Sequence, residues 1–158
     1  MPNLPNTLHC FVCGVKNDAG LKVRFETDGD RVFTRFITDE EHVGYPGIAH
    51  GGVLASLLDE TMGWAPVLRH KRFCVCVELN VEFKLSVPVG VEVIVSGWVT
   101  SERKRIWETE GDIRDAEGTL YAKGRARYLP VSLEKSRDVM KCLLFDEGCV
   151  PPNRICEP

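Results

Sequence analysis

The spacing of apolar positions changes several times along the chain, and each change marks an element. From Leu21 to Thr38 apolar and polar residues alternate: Leu21, Val23 and Phe25 precede Asp28-Gly29-Asp30, and Val32, Thr34 and Phe36 follow. Alternation broken by turn residues predicts a β-hairpin. "DEEHVGYPGIAHGG", Asp39 to Gly52, is polar and carries glycine and proline, as a functional loop does. From Gly51 to Leu68 the spacing becomes helical. Val53, Leu54, Leu57, Leu58, Met62, Trp64 and Ala65 surround most of the circumference, which predicts a buried helix. Pro66 predicts a kink or a stop near its end.

Alternation then returns. "FCVCVELNVEFKLSV" predicts a long strand with Glu78, Asn80, Glu82 and Lys84 on its polar side. "VEVIVSGWVTSERK", "RIWETEGDIRD" and "TLYAKGRARYLPV" predict further strands, joined by short turns and therefore antiparallel. "SLEKSRDVMKCLLF" predicts a short helix bearing Leu133, Val139 and Leu143, and "VPPNRICEP" a loose end. The order implies an α+β protein, with one antiparallel sheet wrapped around a long central helix. A single sheet leaves the far side of the helix bare, and a second copy of the chain is expected to cover it.

Composition narrows the function classes. At 158 residues the chain suits one domain, and 44% apolar with 27% charged residues is ordinary globular usage. A net charge of −3 argues against nucleic acid as a partner. No apolar run reaches a membrane span of roughly 18 residues. The start, MPNLPNTLHC, lacks a basic-then-apolar signal, so a cytoplasmic protein without membrane contact is expected. Seven cysteines cannot all pair within one chain, and mostly free thiols are expected. Cys74 and Cys76, within an alternating apolar run, read as small buried hydrophobes.

The chemistry concentrates in "GYPGIAHGGVLASLLDETMGW". Gly51 and Gly52 open the helix, where backbone N–H groups lack intrahelical partners and the dipole favours developing negative charge. Such a group suits a developing oxyanion. Asp59 and Glu60 are carboxylates in an apolar helix, a costly placement unless paired or functional. They point about 100° apart, so both are not expected in one pocket. Asp59 is the candidate for chemistry, and Glu60 is expected to bond a loop, a basic residue or the partner chain. His50 is expected to brace the loop by side-chain hydrogen bonds rather than to act as a base. His42 and Tyr45 are expected to border the substrate pocket. Gly51 and Asp59 lie about 12 Å apart along the helix, too far for one carbonyl to meet both within one chain. Two antiparallel helices in a dimer would close that gap.

"HCFVC" supplies Cys10 and Cys13, half a zinc site, and His9 as a third donor; a structural knuckle without metal is the favoured reading. Three basic groups could hold phosphates: Arg69 to Arg72, the "SERKR" run from Ser101 to Arg105, and the row Lys123, Arg125, Arg127.

These residues resemble the hotdog-fold acyl-CoA thioesterases, particularly the phenylacetate-pathway enzymes and the glutamate-type 4-hydroxybenzoyl-CoA thioesterases. G-x-x-H-G-G at Gly47, His50, Gly51 and Gly52, with Asp59 nine residues after the histidine, carries the resemblance. "VELNVEFKLSVPVG" and the N-terminal C-x-x-C-G-x-x-N-x-x-G-L pattern add to it. It covers residues 9 to 130, so residues 1–131 read as the hotdog domain and 132–158 as a helical extension and tail. The resemblance implies a homodimer, or a dimer of dimers, that hydrolyses a small acyl-CoA without a cofactor or metal. Asp59 and the Gly51 N–H would be catalytic; His50, Gly52, Tyr45, Cys76 and Glu60 would contact substrate. The chain departs from the pattern at Gly44, where relatives carry an amide, at Cys76, where they carry a hydroxyl, and at Ser86, where they carry proline. A non-catalytic acyl-CoA or small-ligand binding protein on the same fold is the alternative. A hotdog dehydratase would need a different histidine loop.

Overall fold

The computed structural model describes residues 1–103 and 105–157. Its strands are β1 (Asn6–Thr7), β2 (Phe25–Thr27), β3 (Arg31–Ile37), β4 (Val43–Tyr45), β5 (Ile48–Ala49), β6 (Cys74–Phe83), β7 (Glu92–Arg103), β8 (Ile106–Arg114), β9 (Leu120–Pro130) and β10 (Leu143–Leu144). Helix α1 spans Gly51–His70 and α2 spans Leu133–Met140. Six strands form one antiparallel sheet in the order β2-β3-β7-β8-β9-β6, and α1 packs across its inner face. This is the expected α+β arrangement, with the expected hairpin between β2 and β3.

A row of glycines sets how closely α1 approaches. Gly97, Gly111 and Gly124 are neighbours across β7, β8 and β9. A Cβ at Gly97 would lie 2.8 Å from Met62 Cα, one at Gly111 2.8 Å from Met62 Cγ, and one at Gly124 2.8 Å from Met62 Cε. The helix backbone therefore rests in a trough that only glycine leaves open. Leu57, Leu58 and Met62 are fully buried against the sheet, with Val93, Val95, Ile113 and Ala122 opposite.

Pro66 neither stops the helix nor stands at its end. It is buried, and α1 continues past it to His70 before Lys71 caps it in the left-handed conformation (φ 50°). Packing on the sheet outweighs the one hydrogen bond that proline removes. The first arm of the hairpin is shorter than the alternation implies. Leu21 and Val23 donate their N–H groups to the carbonyls of Phe11 and Val12, so the N-terminal loop takes that place instead.

The tail is not loose. Ile155 is fully buried, Val150 and Cys156 nearly so, and the Val150 N–H donates to the Asn3 carbonyl at 2.8 Å. β10 pairs with β1, and Arg24 ion-pairs with Asp146. Both ends of the chain thus close over one end of the core.

β6 is an edge strand whose alternation is broken once. The register with β9 shifts between Cys76 and Glu78, leaving Val77 as the extra residue of a β-bulge. Before the bulge, Cys76 lies opposite Tyr128 on the inner face. After it, Glu78, Asn80 and Glu82 lie opposite Arg127, Arg125 and Lys123 on the outer face. Leu79 and Phe83 share the inner side and stay partly open to solvent.

Candidate active site

The loop before α1 is held by its own polar groups. Asp39 caps a single 3-10 turn, Glu40–His42, and His42 Nδ1 accepts the Asp39 N–H at 3.2 Å. The His42 ring stands edge-on to Phe36, and its carbonyl accepts the His50 N–H at 2.8 Å. His42 therefore braces the loop. His50 is the N-cap of α1; its Nδ1 accepts the Gly52 N–H at 2.8 Å, the bracing role expected of it. The Gly51 N–H has no partner among the described residues. It borders a cleft of about 520 Å³ lined by Gly44, Tyr45, His50, Gly51, Phe83 and Leu85, among others. At Gly44 a Cβ would come 3.1 Å from His50 Cα, so close packing against the cap restricts that position to small residues.

Asp59 belongs to a different cavity. This one, of about 270 Å³, is lined by Asp59, Glu60, Trp64, Phe73, Cys76 and Tyr128, with Cys10, Cys13 and Cys74 at its wall. The Tyr128 hydroxyl lies 3.0 Å from Asp59 Oδ1 and 2.7 Å from the Asp59 carbonyl oxygen, and donates to them. Burial pushes the Tyr128 hydroxyl well above its usual range, with the Asp59 charge adding to it. Burial, then Asp59, also raises Cys76 to about 11. Both groups keep their protons at neutral pH; Tyr128 donates to the Asp59 carboxylate, and the Cys76 thiol to the Glu78 carbonyl at 3.5 Å. Tyr128 escaped the sequence reading, although its signal was present. Lys123, Arg125 and Arg127 mark the outer face of β9, so Ala122, Gly124, Ala126 and Tyr128 must face α1. Cys74 and Cys76 are only half-buried and line this cavity, rather than being sealed in the core.

Glu60 corrects one expectation and meets another. It lines the same cavity as Asp59, because its side chain bends toward the N-terminal loop. There Cys10 Sγ lies 3.0 Å from Glu60 Oε2, so the partner is a loop. Burial raises Glu60 to about 8. Cys10 is lowered to about 5, first by the Cys13 side chain and then by backbone N–H groups. The Cys10 thiol donates to Glu60 Oε2, so the two groups share one proton. Cys13 is raised, chiefly by the same contact with Cys10 and by burial. His9 is exposed and stands outside this group.

Part of each of two basic groups is neutralised. Arg69 pairs with Glu102, Arg125 with Glu110, and Arg127 with Glu78 and Glu108. The β9 row thus forms a charge-matched surface with its neighbours. Lys104 of the "SERKR" run lies outside the described residues.

An antiparallel sheet packed on one long buried helix defines a hotdog fold; among the described residues the helix start carries an unpartnered N–H, and its middle a carboxylate bonded by a tyrosine. The thioesterase superfamily model matches residues 46–122, which include both halves of the helix. That match covers just under half of the chain. It is 34% identical over 94 residues to the acyl-coenzyme A thioesterase THEM5 of Mus musculus, spanning 58% of this chain and 37% of that protein. Against THEM5 of Homo sapiens it is 29% identical over 149 residues, spanning 77% of this chain and 60% of the relative. The chain therefore spans less than two thirds of either relative's length. A crystal structure of a thioesterase superfamily protein superposes with a TM-score of 0.70 at 27% identity, covering 77% of this chain and 63% of the other.

Proposed function

We propose that this protein hydrolyses the thioester of a small acyl-CoA at a site composed from two copies of the chain. The observation that carries the proposal is the separation of the two half-sites. The unpartnered Gly51 N–H and the Asp59 carboxylate line different cavities of one helix, about 12 Å apart along it. A partner helix running the opposite way would bring Gly51 of one copy to Asp59 of the other, twice by symmetry. The match to the thioesterase superfamily model and the acyl-coenzyme A thioesterase relatives support thioester hydrolysis.

In this reading the acyl chain enters the apolar cavity beside Trp64 and Phe73, and the carbonyl oxygen meets the Gly51 N–H of the other copy. Negative charge gathers on that oxygen as the carbonyl is attacked, and the helix N-terminus stabilises it. Asp59, oriented by Tyr128, either takes a proton from the attacking water or attacks the carbonyl itself, forming an anhydride that water then opens. The C–S bond breaks in both routes, and a proton restores the CoA thiol.

The test is loss of thioester from a panel of acyl-CoAs, with wild type and Asp59→Asn in parallel. The variant keeps the shape and is expected to be at least about 100-fold slower. Near-normal turnover by Asp59→Asn would remove Asp59 from the mechanism. Tight acyl-CoA binding by wild type without turnover would establish a binding protein instead. Single turnover in labelled water separates the two routes, since only nucleophilic attack puts label into Asp59.

A further inference from the structure

We propose that Cys10, Cys13 and Glu60 form a binding site for one thiophilic divalent cation of the zinc type, which clasps the N-terminal loop to α1. The donor atoms of these three residues lie within 4.8 Å of one another. They come from two elements fifty residues apart, so the convergence is a product of the fold and not of local sequence.

The loop is built around the Cys10 sulfur. Sγ accepts the N–H groups of Val12 at 3.3 Å and Cys13 at 3.5 Å, an arrangement that favours thiolate character. Gly14 closes the turn by donating to the Cys10 carbonyl at 2.9 Å. A Cβ at Gly14 would fall 2.3 Å from that same carbonyl oxygen, so the turn excludes every residue but glycine. Cys13 is buried and held by its own contact with Thr7 Oγ1.

Glu60 supplies the second line of argument. It is a carboxylate recessed in an apolar helix, and among the described residues it forms no ion pair; its partner is the Cys10 thiol. Buried carboxylates are ordinarily paired with a cation or coordinate a metal. Two sulfurs and one oxygen suit a borderline-soft ion held tetrahedrally at about 2.0–2.3 Å from each donor. The 3.0 Å contact between Cys10 Sγ and Glu60 Oε2 needs to open by about 0.5 Å to admit it. The fourth position faces the adjoining cavity, where water has room. Binding displaces the protons that these donors carry. His9 is exposed and takes no part, and Asp59 is held by Tyr128. A C-x-x-C pair also serves as a redox couple, but a redox couple does not need a carboxylate aimed at its first sulfur.

The test is titration of the reduced, full-length protein with Co²⁺ under nitrogen, followed by displacement with Zn²⁺. The expected result is one cobalt per chain, with the visible absorption of a tetrahedral ion and a thiolate charge-transfer band. Cys10→Ser and Cys13→Ser should each abolish the tetrahedral spectrum, while Cys142→Ser, remote and exposed, should leave it intact. Glu60→Gln keeps the side-chain shape and both sulfurs. It should retain the charge-transfer band and bind at least about 10-fold more weakly, which keeps the test decisive if a cysteine variant misfolds. A wild-type protein that shows no tetrahedral spectrum overturns the proposal. So does a Glu60→Gln variant with unchanged affinity, or a Cys10–Cys13 disulfide that re-forms in air while cobalt fails to bind after reduction.

Discussion

Alanine at Gly97 is expected to be among the most damaging single-methyl changes in this protein. The new Cβ would lie 2.8 Å from Met62 Cα, 2.9 Å from Met62 N and 2.9 Å from the Thr61 carbonyl oxygen. All three are helix backbone, so no rotamer change relieves them. Ordinary contact begins at 3.4 Å, and α1 must lift from the sheet by about 0.6 Å near Met62. Overpacking of this kind costs about 1–3 kcal/mol, and a rigid backbone puts Gly97→Ala at the upper end. For a domain of this size about 3 kcal/mol lowers Tm by roughly 6–12 °C. Gly124→Ala is the internal control. Its Cβ also falls 2.8 Å from Met62, but from Cε, the free end of a flexible side chain. Met62 can swing aside, and alanine saves glycine's extra strand entropy of about 0.5–1 kcal/mol. Its Tm should stay within about 2 °C of wild type. Thermal unfolding of the two variants side by side checks the difference. Equal stability would refute the idea that α1 is seated on the glycine row. Because Asp59 lies one turn before Met62, Gly97→Ala should also lose activity per folded molecule.

Other expectations can be checked alongside. Asp59→Asn and Gly51→Val subunits should each be nearly inactive alone, yet random mixing should restore roughly a quarter of wild-type activity, since half the dimers carry one intact site; the valine is excluded from the cleft because even a Cβ at Gly51 sits 3.1 Å from Phe83 Cζ. Confirmed mixed dimers as dead as their parents would rule out a shared site. Tyr128→Phe removes a donor to the Asp59 carboxylate, worth about 1.5–3 kcal/mol for a charged acceptor, so kcat should fall by about 10- to 100-fold with the fold intact. Deleting residues from Val150 onward strips Val150, Ile155 and Cys156 from the core and should markedly lower Tm; an unchanged Tm would mean that their burial contributes nothing. Burial holds the His70 pKa below its ordinary 6.5, so the unfolded chain takes up its proton first. That contribution to stability is present above pH 6.5 and is lost as pH falls below it; His70→Phe, which keeps the stack on Trp107, should flatten this acid loss in Tm.

Much of this protein was legible in one dimension because periodicity is a local property. The apolar circumference from Val53 to Ala65 requires a buried helix, and the alternating runs require antiparallel strands, whatever else the chain does. The helix start at Gly51 and the carboxylate at Asp59 were legible for the same reason, as was the gap between them, since helical rise is fixed. What escaped depends on contacts with no local signature. The bulge at Val77 reverses the faces of β6, so that Cys76 turns inward while Glu78, of the same parity, turns outward. A reading by alternation alone would put both on one side. Glu60 shares a cavity with Asp59 despite the angle between them, because the N-terminal loop brings Cys10 to its carboxylate. The tail is anchored because Asn3, at the opposite end of the chain, waits for Val150. Helical and strand periods report which residues seek burial; only the folded chain determines what they are buried against, because that choice is made by residues far away in sequence.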